Sequence, residues 1–444
     1  MRHLDLSLQL IPERAHATLD GLQKLGLGGV SIGLLLLVVS VMSGSTVQAG
    51  TGFGLVVFGA LAYIVQTRND GPPGIKNNFI MFSSIMSRGY LAWMAAVFMT
   101  GFYIILYFYP QHLKPLVVLV NPLQVWLSGS SAWDANGNMS QWFLYGFIYT
   151  VTILVMGVRA LIKYRHSRYQ ILRTLSVMFF QLAFAFTIPN VLAKFNNGLY
   201  FEWANIWPLR YYELFPYSVE GLISSGGLGK FMLFWAVFSI LILTPVLTYF
   251  FGKRWYCSWV CGCGGLAETL GDPFRQNSDK SLRAWKVERW MIHSVLVLVV
   301  VTTGLMWANH LYGGEILGTW SGRFSSGYGF LIHSIFAGVI GTGFYPVMGS
   351  RVWCRFGCPM AAVLGILQRF FSRFRITTNG GQCISCGNCS TYCEMGIDVR
   401  WYAQRGENIV RASCVGCGMC SAVCPRGVLN LENGPMNNRT GFQV

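Results

Sequence analysis

Charge is what this sequence has least of: Asp, Glu, Lys and Arg make up 11% of its 444 residues, where a soluble domain carries about 25%. With 53% hydrophobic residues beside so few charges, a disordered or fibrous chain is excluded, and too little polar surface remains to solvate a globule. Acids are scarcer than bases, 17 against 33. A formal charge of +16 would suggest nucleic acid in a soluble protein, but here the bases sit in short segments between long apolar runs. That is a membrane-topology signal, and no nucleic-acid partner is expected. Cysteine is missing from the first 256 residues, and the 13 that follow are clustered, which favours metal over disulfides. A nucleotide-binding glycine loop and a nucleophile triad are also missing, and Gly262-Cys263-Gly264-Gly265 is too short for a dinucleotide fingerprint. A self-contained catalytic enzyme is therefore not expected. Residues 1–27 lack the apolar core and cleavage site of a signal peptide, so no cleavage is expected. The Leu and Ala spacing of residues 16–27 suits an amphipathic helix lying on a membrane surface.

A helix crossing the ~30 Å hydrocarbon layer needs about 20 apolar residues. Eight segments qualify: residues 30–42, 53–65, 91–109, 143–162, 175–192, 231–250, 290–307 and 328–348. Lys and Arg concentrate in the alternate connections 68–88, 163–173 and 253–289 and in everything after Arg351, which places those on the cytoplasmic side. Both termini are then cytoplasmic, in a bacterial inner membrane. Arg159, near one such helix end, is expected to snorkel. The long outer connections carry Trp126, Trp133, Trp203, Trp207, Tyr211 and Tyr212, expected as an interfacial aromatic belt, with a docking surface for a redox partner as the alternative. The fold class is thus an α-helical polytopic membrane protein with about eight transmembrane helices and a small C-terminal α+β domain, whose cysteine spacing suits a ferredoxin-like fold. Three parts are expected: an N-terminal segment 1–27, a helical bundle 28–367 and a cytoplasmic domain 368–444, entered through the turn-forming residues Thr377-Thr378-Asn379-Gly380-Gly381.

Cys383, Cys386, Cys389 and Cys393 follow the spacing CxxCxxCxxxC, and Cys414, Cys417, Cys420 and Cys424 repeat it. This is the bacterial ferredoxin spacing, in which three closely spaced thiolates take three corners of a cubane and the fourth ligates the other cluster. Cys383, Cys386, Cys389 and Cys424 are therefore assigned to one 4Fe-4S cluster, and Cys414, Cys417, Cys420 and Cys393 to a second. CxxC pairs also suit zinc, but two tandem four-cysteine runs argue against it. The first run ends Cys393-Glu394, where the usual motif has proline.

Four of the other cysteines form a second internal repeat. Cys257 and Cys261, and Cys354 and Cys358, each follow a glycine, an arginine and an aromatic residue at the end of an apolar segment. Their i,i+4 spacing would place both sulfurs of a pair on one side of a helical turn. Together they could hold a further iron-sulfur or metal centre, act as redox thiols, or be inert. Cys263 has no counterpart and reads as a small buried residue.

Two CxxxC motifs at helix ends, Cys354 to Cys358 followed by Pro359, ahead of a tandem ferredoxin domain, resemble the NosR/NapH family of membrane polyferredoxins, and the CcoG oxidase-assembly proteins are similar. The resemblance covers roughly residues 231–431; Gly262 stands where the first motif would carry proline. It implies electron transfer between the quinone pool or a cytoplasmic donor and a respiratory partner enzyme, in a membrane complex. An assembly factor that reduces or delivers metal to an oxidase or reductase is the alternative.

His293 and His333 lie in apolar segments, where ionisable residues are functional candidates for haem, quinone or proton handling. On antiparallel helices they would stand about 15 Å or more apart at 1.5 Å per residue, too far to share one haem. A histidine hydrogen-bonded within the bundle is the plainer alternative.

Overall fold

The computed structural model describes residues 19–66, 89–134, 136–196, 198–379 and 382–434. Most of the 1–27 segment, the basic connection 68–88 and the end of the tail lie outside the described residues.

Among the described residues seven helices are long and apolar enough to cross a membrane: Gly21–Ser43, Thr46–Val65, Tyr90–Phe108, Trp142–Lys163, Arg168–Phe195, Gly226–Phe251 and Leu282–Leu311. Their surfaces are apolar outward as well as inward, with Phe58, Trp93, Phe234 and Leu241 all exposed. That suits a lipid solvent. The first two are longer than the sequence pattern suggested, and residues 21–27 form the opening turns of the first helix. Glycine allows this pair to close. A Cβ at Gly26 would stand 2.7 Å from the Gly59 carbonyl, and one at Gly33 2.7 Å from that of Gly52, so the two backbones meet directly along a glycine stripe.

The segment 328–348 is not one regular span. An α-helical stretch, Trp320–Tyr328, widens into a π-helix, Gly329–Ile340, and the chain then turns before the short helix Tyr345–Met348. Glycines at close approach account for the irregularity: Gly338 faces Tyr103 and Tyr107, and Gly343 faces Thr100. A second π-helix, Gln181–Thr187, interrupts the Arg168–Phe195 helix.

The connections are structured too. Lys114–Ser128 is a helix, and 253–289 folds as the helices Arg254–Cys257 and Gly262–Thr269 followed by the 3-10 turn Asp272–Asn277. In the tail, β1 (Phe374–Thr378) pairs antiparallel with β2 (Leu429–Asn433), Ile376 opposite Leu431, so Thr377 and Thr378 belong to a strand rather than a linker. Apolar burial supports the strand: Phe374 and Ile376 enter a core that runs without a break from Trp353, Met360 and Leu364 to Ile397 and Val415. The tail therefore packs on the bundle end that bears the CxxxC repeats.

Candidate metal centres and the adjoining cavity

The two CxxxC segments share one local fold. Each opens on a glycine in the left-handed region, Gly252 (φ 68°) and Gly349 (φ 94°). A short helix carries the first cysteine, and the second caps the next helix: Cys257 ends Arg254–Cys257 while Cys261 precedes Gly262–Thr269. Cys354 lies in Val352–Phe356, and Cys358 precedes Pro359–Phe370. The expectation of a single helical turn is thereby corrected. Both chains break between their cysteines and close with equivalent bonds, Cys261 N to Tyr256 O at 2.8 Å and Cys358 N to Trp353 O at 2.9 Å. The second cysteine of each pair thus gains a helix N-terminus, which favours negative charge at sulfur. At Cys358 the Ala361 N–H donates to Sγ over 3.4 Å.

The repeats bring Cys257, Cys261, Cys354 and Cys358 together as a buried quartet, each within electrostatic reach of the others. Burial pushes the Cys257 thiol up to about 12. Cys261 is instead drawn down to about 7, first by a hydrogen bond from Cys263 and then, against burial, by the Gly264 and Cys263 backbone N–H groups. Cys263 thus stands next to Cys261 of the quartet. Glycine makes the approach feasible here as well, since a Cβ at Gly264 would lie 1.9 Å from the Cys257 carbonyl oxygen.

The eight tail cysteines lie in two neighbouring sets. Cys389 has Cys386, Cys424 and Cys383 as neighbours; Cys420 has Cys417, Cys414 and Cys393, with Cys389 beyond. The halves are near copies: Gly387 and Gly418 both take left-handed conformations, and the N–H groups of Ile397 and Val428 point at Cys393 Sγ and Cys424 Sγ, each at 3.4 Å. Thiols in fours with N–H groups directed at sulfur are a donor set that fits iron-sulfur cubanes.

The surroundings of the halves differ. The Cys414 half is cupped by the bundle: Tyr169 Oη donates to Gly416 O (2.7 Å), Gln170 Nε2 to Cys417 O (2.8 Å), Ser258 Oγ to Val415 O (2.8 Å) and Gln368 Nε2 to Cys414 O (2.8 Å). The Cys383 half faces outward beside the exposed Ile384, around a small cleft closed by Arg400 and Pro425. Lys253, 1% exposed, stands near Cys257 and Cys354 of the quartet and Cys414 of the tail.

A buried charge network supports this junction. Asp272 accepts from Arg159 Nη1 (2.9 Å), Lys163 Nζ (2.7 Å), Tyr164 Oη (2.6 Å) and Arg275 Nε (2.8 Å). Arg159 does not snorkel, because a fully buried carboxylate holds it. Glu268 pairs with Arg173, Arg275 and Arg351, and Glu394 with Arg275 and Arg351. Burial alone would raise the Glu268 carboxyl, but its three guanidinium partners override that and hold it well below the ordinary range. Arg351 also donates from Nη1 to Cys257 O (3.1 Å) and Cys354 Sγ (3.6 Å). Glu268, Glu394 and Cys417 bring ligand atoms within 4.8 Å of one another, but the arginines bracket both carboxylates, so this is an ion network rather than a further metal site.

Beyond the quartet lies a cavity of about 1010 Å³. Cys263, Cys354 and Trp353 line it together with Tyr200, Glu202 and Tyr212. Two of the three π-helices among the described residues, Gln181–Thr187 and Gly329–Ile340 but not Ser239–Leu243, open onto it, presenting Gln181 and His333, and such wide turns are frequent at functional sites. Tyr211, 5.9 Å from the His333 ring, also lines it, so Tyr211 and Tyr212 serve the cavity rather than a belt, whereas Trp126 stays exposed. His293 lines a different, smaller cavity, and its Nδ1 lies 2.6 Å from Arg289 O. The two histidines do not face one site.

Residues 233–281 and 329–377 each match the family described as "4Fe-4S binding domain", one match per CxxxC repeat, and residues 382–429 match "4Fe-4S dicluster domain". The chain is therefore an iron-sulfur protein built on 4Fe-4S clusters, and these matches support an electron-transfer role. It is 27% identical to the "Methylamine utilization ferredoxin-type protein MauN" of Methylobacillus flagellatus over 54% of this chain and 80% of that protein. It is 24% identical to the "Putative electron transport protein YccM" of Escherichia coli over 43% of this chain and 60% of that protein. No solved structure matches the chain.

Proposed function

We propose that this chain is an inner-membrane electron relay of the NosR/NapH type, with both termini cytoplasmic, passing electrons between quinol in the large cavity and a partner enzyme docked at the tail. In this reading the bundle spans residues 28–367 and the dicluster domain 368–444, and residues 1–27 precede them on the cytoplasmic side. Cys383, Cys386, Cys389 and Cys424 hold one cluster, Cys414, Cys417, Cys420 and Cys393 the other, and the Cys257, Cys261, Cys354, Cys358 quartet holds a further centre. When bound, cubanes store one electron each, so two together match the two electrons and two protons a quinol releases. The chain's own part is placement: Gln181 and His333 offer hydrogen-bonding groups to a ring carrying oxygens, His333 takes up a proton, and the aromatic side chains of Tyr149, Phe186 and Trp353 flank the ring.

One observation carries the reading. The cavity wall, the quartet, the Cys414 group and the outward-facing Cys383 group follow one another in space, in the order an electron would need. A reduced quinol analogue added anaerobically to purified protein is expected to reduce the tail clusters, read by low-temperature electron paramagnetic resonance. Cys257→Ser with Cys354→Ser should abolish that reduction while dithionite still reduces the tail. Reduction of the double variant at the wild-type rate would refute the route.

A second reading, a factor that reduces or delivers metal to a partner enzyme, is favoured by Cys263, a fifth thiol at the cavity beyond the four a centre needs. A deletion strain separates the two: a metal-depleted partner supports the factor, and a fully metallated but unreduced partner supports the relay.

A further inference from the structure

The bundle end that receives the tail carries a second cavity, of about 320 Å³, between the start of the Leu282–Leu311 helix, the Pro359–Phe370 helix and the chain leading into Cys414. Its walls hold five cationic side chains, Lys253, Arg289, Arg355, Arg369 and Arg411, against one acid, Glu288, among the described residues. Glu288 is engaged by Arg355 Nε at 2.7 Å. Arg355 Nη1 reaches the Asp279 carbonyl at 2.6 Å, and Nη2 is buried without a hydrogen-bond partner among the described residues. Lys253 meets a carbonyl, Ala412 O, at 3.4 Å. Arg289 and Arg411 both lie over the Trp285 ring, at 5.1 and 4.7 Å.

Cations gathered this closely with one shared acid repel, and those withdrawn from water need a counter-charge. The cavity rim shows what kind. Among the lining residues Ile366 (37%) and Phe370 (60%) are exposed beside Arg369, and the exposed Trp290 follows Arg289 on its helix, so the cations sit level with apolar side chains that want a bilayer. A free anion would satisfy the arginines and leave those aromatics bare. A lipid satisfies both.

We propose that this cavity binds the phosphate headgroup of an anionic lipid, with Lys253, Arg289, Arg355, Arg369 and Arg411 around the phosphate and the acyl chains leaving over Ile366, Phe370 and Trp290. Basic pockets between helices at a membrane's cytoplasmic side are suited to such headgroups. Because Cys354 lines the same cavity, the headgroup places negative charge against one member of the quartet. The site is independent of what occupies the large cavity.

Native mass spectrometry of the full-length protein, delipidated and then supplied with phosphatidylglycerol or phosphatidylcholine, tests this. Phosphatidylglycerol should be retained on collisional activation and phosphatidylcholine lost. Arg289→Gln with Arg369→Gln, both on the exposed rim, should weaken phosphatidylglycerol retention about tenfold or more. Cluster absorbance checks that the variant is folded; should it not fold, the lipid preference of the wild-type chain decides. Equal retention of both lipids, or a folded variant that holds phosphatidylglycerol as well as wild type, overturns the proposal. Displacement of the lipid by millimolar inorganic phosphate would overturn it in favour of a free-anion site.

Discussion

Glu394 Oε1 accepts from Arg351 Nε at 3.0 Å, tying the residue after the last cysteine of the first ferredoxin run to the arginine that contacts Cys354 of the second CxxxC repeat. Both are fully buried. The position usually filled by proline therefore holds the pin between tail and bundle. Breaking a buried pair while keeping one partner typically costs about 3–5 kcal/mol. Glu394→Gln should sit near the lower end, because the amide still accepts one bond, and Glu394→Pro near the upper, despite restoring the common motif. Thermal unfolding of the loaded protein in detergent measures this. The same change leaves Arg275 and Arg351 less neutralised, so the midpoint potential of the quartet centre should rise; an unchanged unfolding profile in both variants contradicts the role given to this pair.

Gly264→Ala places a methyl 1.9 Å from the Cys257 carbonyl oxygen, a separation that backbone atoms cannot absorb without moving. Overpacking of this kind costs about 1–3 kcal/mol. The expected result is loss of the quartet's spectroscopic signal while the tail clusters persist, since the tail's own cysteines are not displaced. Gly304→Ala, where a Cβ meets nothing within 4 Å, is the control and should leave both intact. Retention of every centre in Gly264→Ala would show that the two CxxxC segments need not approach so closely.

These two residues mark how far the sequence could be read. The cysteine groupings were legible because ligand spacing in the tail is a local constraint, and the quartet because an internal repeat at two helix ends brings like residues to like depth. The break between Cys257 and Cys261 was not, since i,i+4 spacing is compatible with a helix and with a helix start alike. Arg159 was misread because its partner Asp272 is remote in sequence, and nothing near Arg159 reveals a carboxylate that tertiary packing supplies. A signal did exist in the scarcity of acids: Glu268 and Asp272 stand close together in a chain with 17 acidic residues, which marks them as costly to keep. The large cavity depends on π-turns at Gln181–Thr187 and Gly329–Ile340, and hydropathy periodicity does not resolve a helix that locally widens.

The two tail clusters should respond unequally to ligand loss. Cys383 lies in the outward half, whereas the Cys414 carbonyl is held by Gln368 within the junction. Cys383→Ser is expected to remove up to about four irons, one cubane, and leave the tail docked. Cys414→Ser should remove a similar amount and also loosen the tail, because the loop that Tyr169, Gln170 and Ser258 grip is shaped by that cluster's ligands. Iron analysis together with limited proteolysis separates the outcomes. Equal protease resistance in the two variants would mean that docking does not depend on the inner half.

The cavity reading is tested best by residues that touch no cysteine of the quartet. His333 is presented by the Gly329–Ile340 π-helix beside Tyr211, and Gln181 by the other, where its Nε2 donates to Thr150 Oγ1 at 3.1 Å. Replacing His333 by Leu keeps the wall apolar and removes a hydrogen-bonding and proton-accepting group, which in a buried site is worth about 1–3 kcal/mol. Quinol-driven reduction of the tail clusters should fall about tenfold or more, since 1.4 kcal/mol is a factor of ten. Dithionite, which reaches the exposed Cys383 half directly, should reduce His333→Leu as fast as wild type. A parallel fall in both rates would place the defect in the clusters or the fold, and an unaltered quinol rate in His333→Leu and Gln181→Leu would mean that the donor enters elsewhere.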